Sequence, residues 1–135
     1  MPARFMLDTN IVSYLLREQM PALKLRFLRA PASDLAVSTI TEAEVHFGLA
    51  KKPGAAKLRL AAENFLAGLD ILPWDSAAAQ AYGLLRAAQE RKGRPLSTED
   101  LMIAAHAFSA GLILVTHDEA FSYIEGLRTE DWTTA

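Results

Sequence analysis

A chain of 135 residues, 51% hydrophobic and 22% charged, is long and apolar enough to bury one core. It has no cysteine, which excludes a disulfide framework and thiolate metal sites, and its net charge of −2 argues against a generally basic nucleic-acid binder. No apolar run approaches the ~20 residues that span a bilayer, and Met1-Pro2-Ala3-Arg4 leaves no room for a signal peptide, so the expectation is one domain, residues 1–135, in the cytoplasm.

Arg4–Leu7 reads as a short strand, apolar at its centre in the manner of a strand covered on both faces. It ends on Asp8-Thr9-Asn10, and a helix continues through Leu16, with Asp8 or Thr9 as its N-cap. Pro21 suits the first turn of a second helix whose Leu23, Phe27 and Leu28 are expected to share a face. A turn at Pro31–Asp34 leads into a second strand, Leu35-Ala36-Val37. Ser38-Thr39-Ile40-Thr41 opens a helix through Ala50, which Lys51-Lys52-Pro53-Gly54 breaks. Ala56–Leu69 is amphipathic, with Leu58, Ala62, Phe65, Leu66 and Leu69 on one stripe. Asp70–Trp74 is a strand and turn, and Asp75 or Ser76 caps a helix that buries Ala78, Tyr82 and Leu85. Arg91-Lys92-Gly93-Arg94-Pro95 closes it as a basic loop. Ser97 or Thr98 then opens a helix through Phe108, stopped by Gly111. Leu112–Val115 is strongly strand-like; a helical turn at Ala120–Ile124 and a short final strand, Leu127–Trp132, at the sheet edge follow.

Short apolar strands alternating with amphipathic helices predict an α/β fold, a three-layer α/β/α arrangement around a mainly parallel sheet of four to five short strands. Ligands of such sheets bind beyond the carboxyl ends of the strands. Acids gather at those ends: Asp8, Glu44, Asp100 and Asp118 each stand where a strand stops or a helix starts. Each also has a plain structural explanation. Asp8 can cap the helix after it and Asp118 the helical turn after it, and Thr41-x-x-Glu44 and Ser97-x-x-Asp100 match capping boxes.

Taken jointly, four carboxylates at one sheet edge would repel and raise one another's pKa values. A hard divalent cation, Mg²⁺ or Mn²⁺, removes that cost with oxygen ligands. Asn10, Ser38 and Thr116 lie at the same strand exits and would orient carboxylates or water there. Carboxylates with divalent ions suit phosphodiester cleavage. Charge is distributed to match. Arg17–Arg59 holds eight bases against four acids, whereas Glu99 to the end holds seven acids against one base. The basic run Lys51–Arg59 is either a solvated helix face or a guide for RNA. His46, His106 and His117 lack zinc-site spacing. His106, in an Ala-rich helix, reads as a packed residue, and His117 lies where it could touch substrate.

Four blocks in order carry a resemblance. They are Phe5-Met6-Leu7-Asp8-Thr9-Asn10-Ile11, Ser38-Thr39-Ile40-Thr41-Glu42-Ala43-Glu44-Val45-His46-Phe47-Gly48, Asp100–Ala107, and Leu114-Val115-Thr116-His117-Asp118 with the tail Gly126–Trp132. Together they resemble the PIN-domain toxin ribonucleases of bacterial toxin–antitoxin pairs, the VapC family, over nearly the whole chain. The family's catalytic, metal-holding acids fall on Asp8, Glu44 rather than Glu42, Asp100 and Asp118. Around the last of these the segment to Phe121 is about one residue short, which leaves Glu119 as a competitor. Before Asp100 stands Ser97-Thr98-Glu99, where the family has an aromatic residue. The resemblance implies a Mg²⁺- or Mn²⁺-dependent endoribonuclease, a VapB-type antitoxin that fills the site, promoter DNA bound through that antitoxin, and a homodimer within a larger toxin–antitoxin assembly. The Gly-x-Arg-Thr-Glu-Asp-Trp tail resembles that of members that cut initiator tRNA in its anticodon stem-loop, which makes that RNA the candidate substrate.

Other readings differ in what they require. A haloacid-dehalogenase-like phosphatase wants a second Asp two residues after the first, where this chain has Asn10. A response-regulator receiver wants a lysine at a late strand end, where Val115-Thr116-His117 offers none. A non-catalytic PIN-like module that only binds RNA or a partner has no need of all four acids.

Overall fold

The computed structural model describes residues 2–94 and 96–134; Pro95 of the expected basic loop lies outside them. Among the described residues, β1 (Phe5–Leu7), β2 (Leu35–Ser38), β3 (Asp70–Leu72), β4 (Ile113–Val115) and β5 (Thr129–Glu130) form one sheet in the order β3-β2-β1-β4-β5. Every neighbouring pair runs parallel. Parallel neighbours require crossovers, and these carry the helices α1 (Thr9–Leu16), α2 (Pro21–Arg29), α3 (Thr39–Ala50), α4 (Ala56–Ala67), α5 (Ser76–Arg91) and α6 (Thr98–Ala110).

Successive strand residues point to opposite faces, and the two faces carry separate cores. Phe5, Leu7, Leu35, Val37 and Val115 pack with Ile11, Val12, Leu23, Leu66 and Trp132, from α1, α2, α4 and the C-terminal segment. Met6, Ala36 and Leu114 pack on the other side with Ala81, Leu85, Ile103, Ala104, Ala107 and Phe121. The unbroken apolar run of β1 is therefore explained by burial on both faces. Each fully buried Leu, Ile or Phe contributes about 1.5–3 kcal/mol.

Helix starts match the expected chemistry with shifts of a residue. Asp8 caps α1, which begins at Thr9, and Pro21 is the first residue of α2. Asp75 caps α5 and Ser97 caps α6, and Gly111, at φ 70°, ends α6 in the left-handed conformation that glycine tolerates. Three expectations are corrected. Leu28 is 66% exposed, because five helical positions from Leu23 rotate it about 140° off the stripe. The final strand shrinks to Thr129–Glu130, an edge strand with one partner, β4. The Thr41-x-x-Glu44 capping box does not form: Ser38 is the N-cap, and Glu44 lies in the second turn of α3.

Candidate active site

The strand order reverses beside β1. The chain steps outward from β1 to β2 and β3, then crosses to place β4 and β5 on the other side. The crevice beyond the carboxyl ends of β1 and β4 is the point where an open α/β sheet takes ligands.

Asp8 is the residue that leaves β1 at that crevice. Its N–H donates to Val115 O at 3.1 Å, which ties it to the end of β4. Its Oδ1 accepts from Ile11 N at 2.8 Å, which caps α1. Only 3% of the residue is exposed. Burial raises its pKa to about 6; the Thr116 hydroxyl and the Ile11 N–H pull it down, and the charges of Asp100 and Asp118 push it further up. Asp100 enters from the first turn of α6, where its N–H donates to Ser97 Oγ at 3.1 Å. Burial raises Asp100 as well; Ser97 opposes this, and Asp118 and Glu99 add to it. Asp118 comes after β4. Its N–H donates to Thr116 Oγ1 at 3.1 Å, and its Oδ1 accepts from Ala120 N at 2.9 Å to cap the 3₁₀ turn Glu119–Tyr123. Asp118, not Glu119, is the acid that acts on both Asp8 and Asp100.

Glu44 arrives differently. Thr9 Oγ1 donates to Glu44 Oε1 at 2.6 Å and lies 3.1 Å from Thr41 Oγ1, so Glu44 is linked to the Asp8 end of α1 through a hydroxyl. The structure thus couples Asp8, Asp100 and Asp118 electrostatically, while Glu44 stands apart from that coupling, linked to the start of α1 through Thr9. Capping occupies Oδ1 of Asp8 and of Asp118, and the Thr116 hydroxyl also engages the Asp8 carboxylate. At Asp100 the helix cap is Ser97, whose hydroxyl also engages the Asp100 carboxylate.

Of the supporting residues, Thr116 is buried between Asp8 and Asp118 and serves both. Asn10 is exposed on the first turn of α1. Ser38 is turned elsewhere: its hydroxyl accepts from Ile40 N at 3.0 Å and meets His106 Nδ1 at 2.8 Å. His106 is a buried packing residue, held in its neutral form by desolvation. Sequence reasoning passed over Thr9 as the partner of Glu44. It also gave Asp131 no role, although Asp131 Oδ2 accepts from His117 Nδ1 at 2.9 Å. A hydroxyl beside a strand-end acid is the signal that pointed to Thr9; nothing local pointed to Asp131.

The donor set is all oxygen, and no lysine or arginine forms a salt bridge with any of the four acids among the described residues. Nor, among those residues, do three acids or histidines stand close enough to enclose one ion. Mg²⁺-like ions bind through one or two carboxylates and keep their remaining positions for water and phosphate. An all-oxygen donor set is of the kind that a hard divalent cation takes.

The chain matches the PIN domain family over residues 5–127. It is 37% identical over 131 residues to the tRNA(fMet)-specific endonuclease VapC of Shigella flexneri, covering 96% of this chain and 98% of that protein. Ribonuclease VapC2 of Haemophilus influenzae is 36% identical over 130 residues, again covering 96% and 98%. In three dimensions the chain is similar to VapBC from Salmonella typhimurium bound to DNA, with a TM-score of 0.90, 36% identity and coverage of 96% and 98%. VapBC2 from Rickettsia felis, bound to a DNA fragment from its promoter, gives a TM-score of 0.83 at 31% identity, covering 93% and 96%. The chain belongs to the PIN-domain family, and within it to the VapC ribonucleases. Ribonucleases of this family generally depend on divalent metal ions. Among the described residues no helix is long and apolar enough to cross a membrane.

Proposed function

We propose that this protein is the toxin of a VapBC-type toxin–antitoxin pair and that it hydrolyses RNA phosphodiester bonds with Mg²⁺ or Mn²⁺ held at Asp8, Glu44, Asp100 and Asp118. One observation carries the reading. Asp8 is buried and driven up to about 6, with two further carboxylates acting on it and no lysine or arginine salt bridge to it among the described residues. Such an arrangement costs stability without a cation and is relieved by one. When bound, the divalent ion supplies an activated water and stabilises charge on the scissile phosphate.

The chain's own residues do the remaining work. Asp8, fixed at both ends of its backbone by β4 and α1, sets one wall of the site. Thr116 orients Asp8 and Asp118 from between them. Ser97 fixes the start of α6 and with it Asp100. Thr9 holds Glu44 at the edge, and Asn10 lies at the open side, where it can meet the phosphate.

The partner is a VapB-type antitoxin, through which the pair binds promoter DNA, and the toxin works as a homodimer in the cytoplasm. The names of its relatives support both the ribonuclease reading and initiator tRNA as substrate. The test uses the purified chain freed of antitoxin. RNA incubated with it is cut in Mg²⁺ or Mn²⁺ and left intact in EDTA, and the sequenced ends fall in the anticodon stem-loop of initiator tRNA. Cleavage that persists in EDTA, or intact RNA in every metal, overturns the assignment.

A further inference from the structure

The C-terminal segment is anchored on both sides of one residue. β5 pairs Thr129 and Glu130 with Leu114 and Val115. Trp132 is buried, with its ring 5.0 Å from that of Phe5, and its Nε1 donates to Glu130 Oε1 at 2.9 Å. Asp131, between these anchors, reaches His117. Its Oδ2 accepts from His117 Nδ1 at 2.9 Å, and its Oδ1 accepts from Thr133 N at 2.8 Å. Thr133 Oγ1 stands 3.0 Å from the same His117 nitrogen. From α1, Tyr14 meets the imidazole at 73° with centroids 6.5 Å apart.

His117 is therefore fixed at one nitrogen and braced by an aromatic ring. It nonetheless remains 49% exposed, and its Nε2 has no hydrogen-bond partner among the described residues. It immediately precedes Asp118 in sequence. Nothing in the metal site uses this ring. A half-exposed aromatic side chain held rigidly beside an acid cluster has the form of a stacking surface for an unpaired base.

We propose that His117 is a substrate contact, its open face and Nε2 receiving an unpaired RNA base beside the phosphate at Asp118, and that Asp131 is the residue that positions it. This rests on the ribonuclease reading above. Single-stranded RNA is thereby favoured over duplex, whose bases are closed to stacking.

The experiment measures fluorescence anisotropy of a labelled single-stranded oligoribonucleotide, with Ca²⁺ in place of Mg²⁺ to suppress cleavage. His117→Ala is expected to raise Kd about tenfold. His117→Phe, which keeps an aromatic face, recovers most of that loss. Asp131→Ala raises Kd about threefold through lost preorganisation, and adds nothing in the His117→Ala background. Duplex RNA of the same sequence binds the wild type and His117→Ala equally. In Mg²⁺, the rise in KM for the single strand exceeds the fall in kcat. A folded His117→Ala protein with wild-type Kd overturns this proposal while wild-type cleavage upholds the ribonuclease reading. Should His117→Ala fail to fold, a His117→Phe protein with the same tenfold loss overturns the stacking role. A wild type that neither binds nor cuts RNA in Mn²⁺ overturns both.

Discussion

Glu130 on the edge strand and Asp8 at the end of the central strand are both carboxylates near β4, in opposite surroundings. Glu130 meets Arg26 at 3.4 Å and accepts from Trp132 Nε1, while Arg26 lies 5.0 Å from the centre of the Trp132 ring. Nearby, Asp34 faces Arg4 at 3.9 Å. On the surface between α2 and the C-terminal segment, Glu130 and Asp34 thus have cationic partners in the chain itself. The acids of the crevice between β1 and β4 do not. There Asp8, Asp100 and Asp118 act on one another, and no lysine or arginine among the described residues bridges to them. One surface pairs its carboxylates with arginines. In the other, burial and like charges push Asp8 up without such a partner among the described residues, the contrast on which the proposed function rests.

The largest effect comes from removing charge in the crevice. Asp100→Asn keeps the shape and the Ser97 cap but takes away the charge of a carboxylate proposed to hold the metal. Cleavage is expected to fall on the order of 10³-fold, about 4 kcal/mol. Initial rates on an anticodon stem-loop in Mg²⁺ measure it. Retained activity would place Asp100 with the structural caps and erase the contrast between the two surfaces.

Next is a change that helps stability while destroying function. The folded-state pKa of Asp8 is raised from 3.8 to about 6. Its contribution to stability is fully present below about pH 3.8 and is lost as pH rises through about 6. At neutral pH and without metal, that loss is about 3 kcal/mol. Asp8→Asn removes the penalty and keeps the cap, since Asn also accepts from the Ile11 N–H. Denaturant melts in EDTA should therefore show the variant gaining on the wild type between pH 4 and pH 7, by an amount of this order. Adding Mg²⁺ should close the gap by stabilising only the wild type. A gap that is flat across this pH range would mean that Asp8 is not strained.

A smaller effect tests the brace between the two acid-bearing helices. His106 on α6 meets Ser38, which caps α3, so one buried contact joins the helices of Asp100 and Glu44. His106→Ala is expected to cost about 1–3 kcal/mol through the unpaired hydroxyl and the space left. Burial lowers the pKa of His106 below its usual 6.5. Its contribution is thus present above about pH 6.5 and lost as pH falls below that value, the opposite sign to Asp8. Urea midpoints of the wild type and His106→Ala at pH 5 and pH 7.5 read both effects, and the difference should shrink at the lower pH.

These sites differ in how much of them is visible in a linear reading. The parallel sheet is legible because Phe5-Met6-Leu7, Leu35-Ala36-Val37 and Ile113-Leu114-Val115 are apolar on both faces and lead into polar exits. Asp8 and Asp118 are legible for the same reason: each is a carboxylate at a strand end. Glu44 is visible as a residue but not as a geometry, since the bond that holds it comes from Thr9, 35 positions away. Thr41-x-x-Glu44 has capping-box spacing, yet Ser38 is the cap, its hydroxyl also meeting His106, 68 residues further on, while the Thr41 hydroxyl meets Thr9. Local pattern reports which groups are available, and tertiary contact decides their partners. The pairing of His117 with Asp131 belongs wholly to the second kind.

The smallest expected effect lies on the arginine-paired surface. Arg26 is about half exposed, and so is screened in its contacts with both Glu130 and Trp132. Exposed ion pairs contribute about 0–1 kcal/mol and exposed cation–π contacts about 0.5–1 kcal/mol. Removing the guanidinium leaves Glu130 free to be hydrated and still accepting from Trp132. Arg26→Ala should therefore lower stability by less than about 1 kcal/mol, more of it at low salt than at high. Cleavage should be unchanged, because the variant leaves every crevice acid and the His117–Asp131 contact in place. A tenfold loss of cleavage with an intact fold would show RNA crossing the arginine surface, and the two regions would then form one binding path.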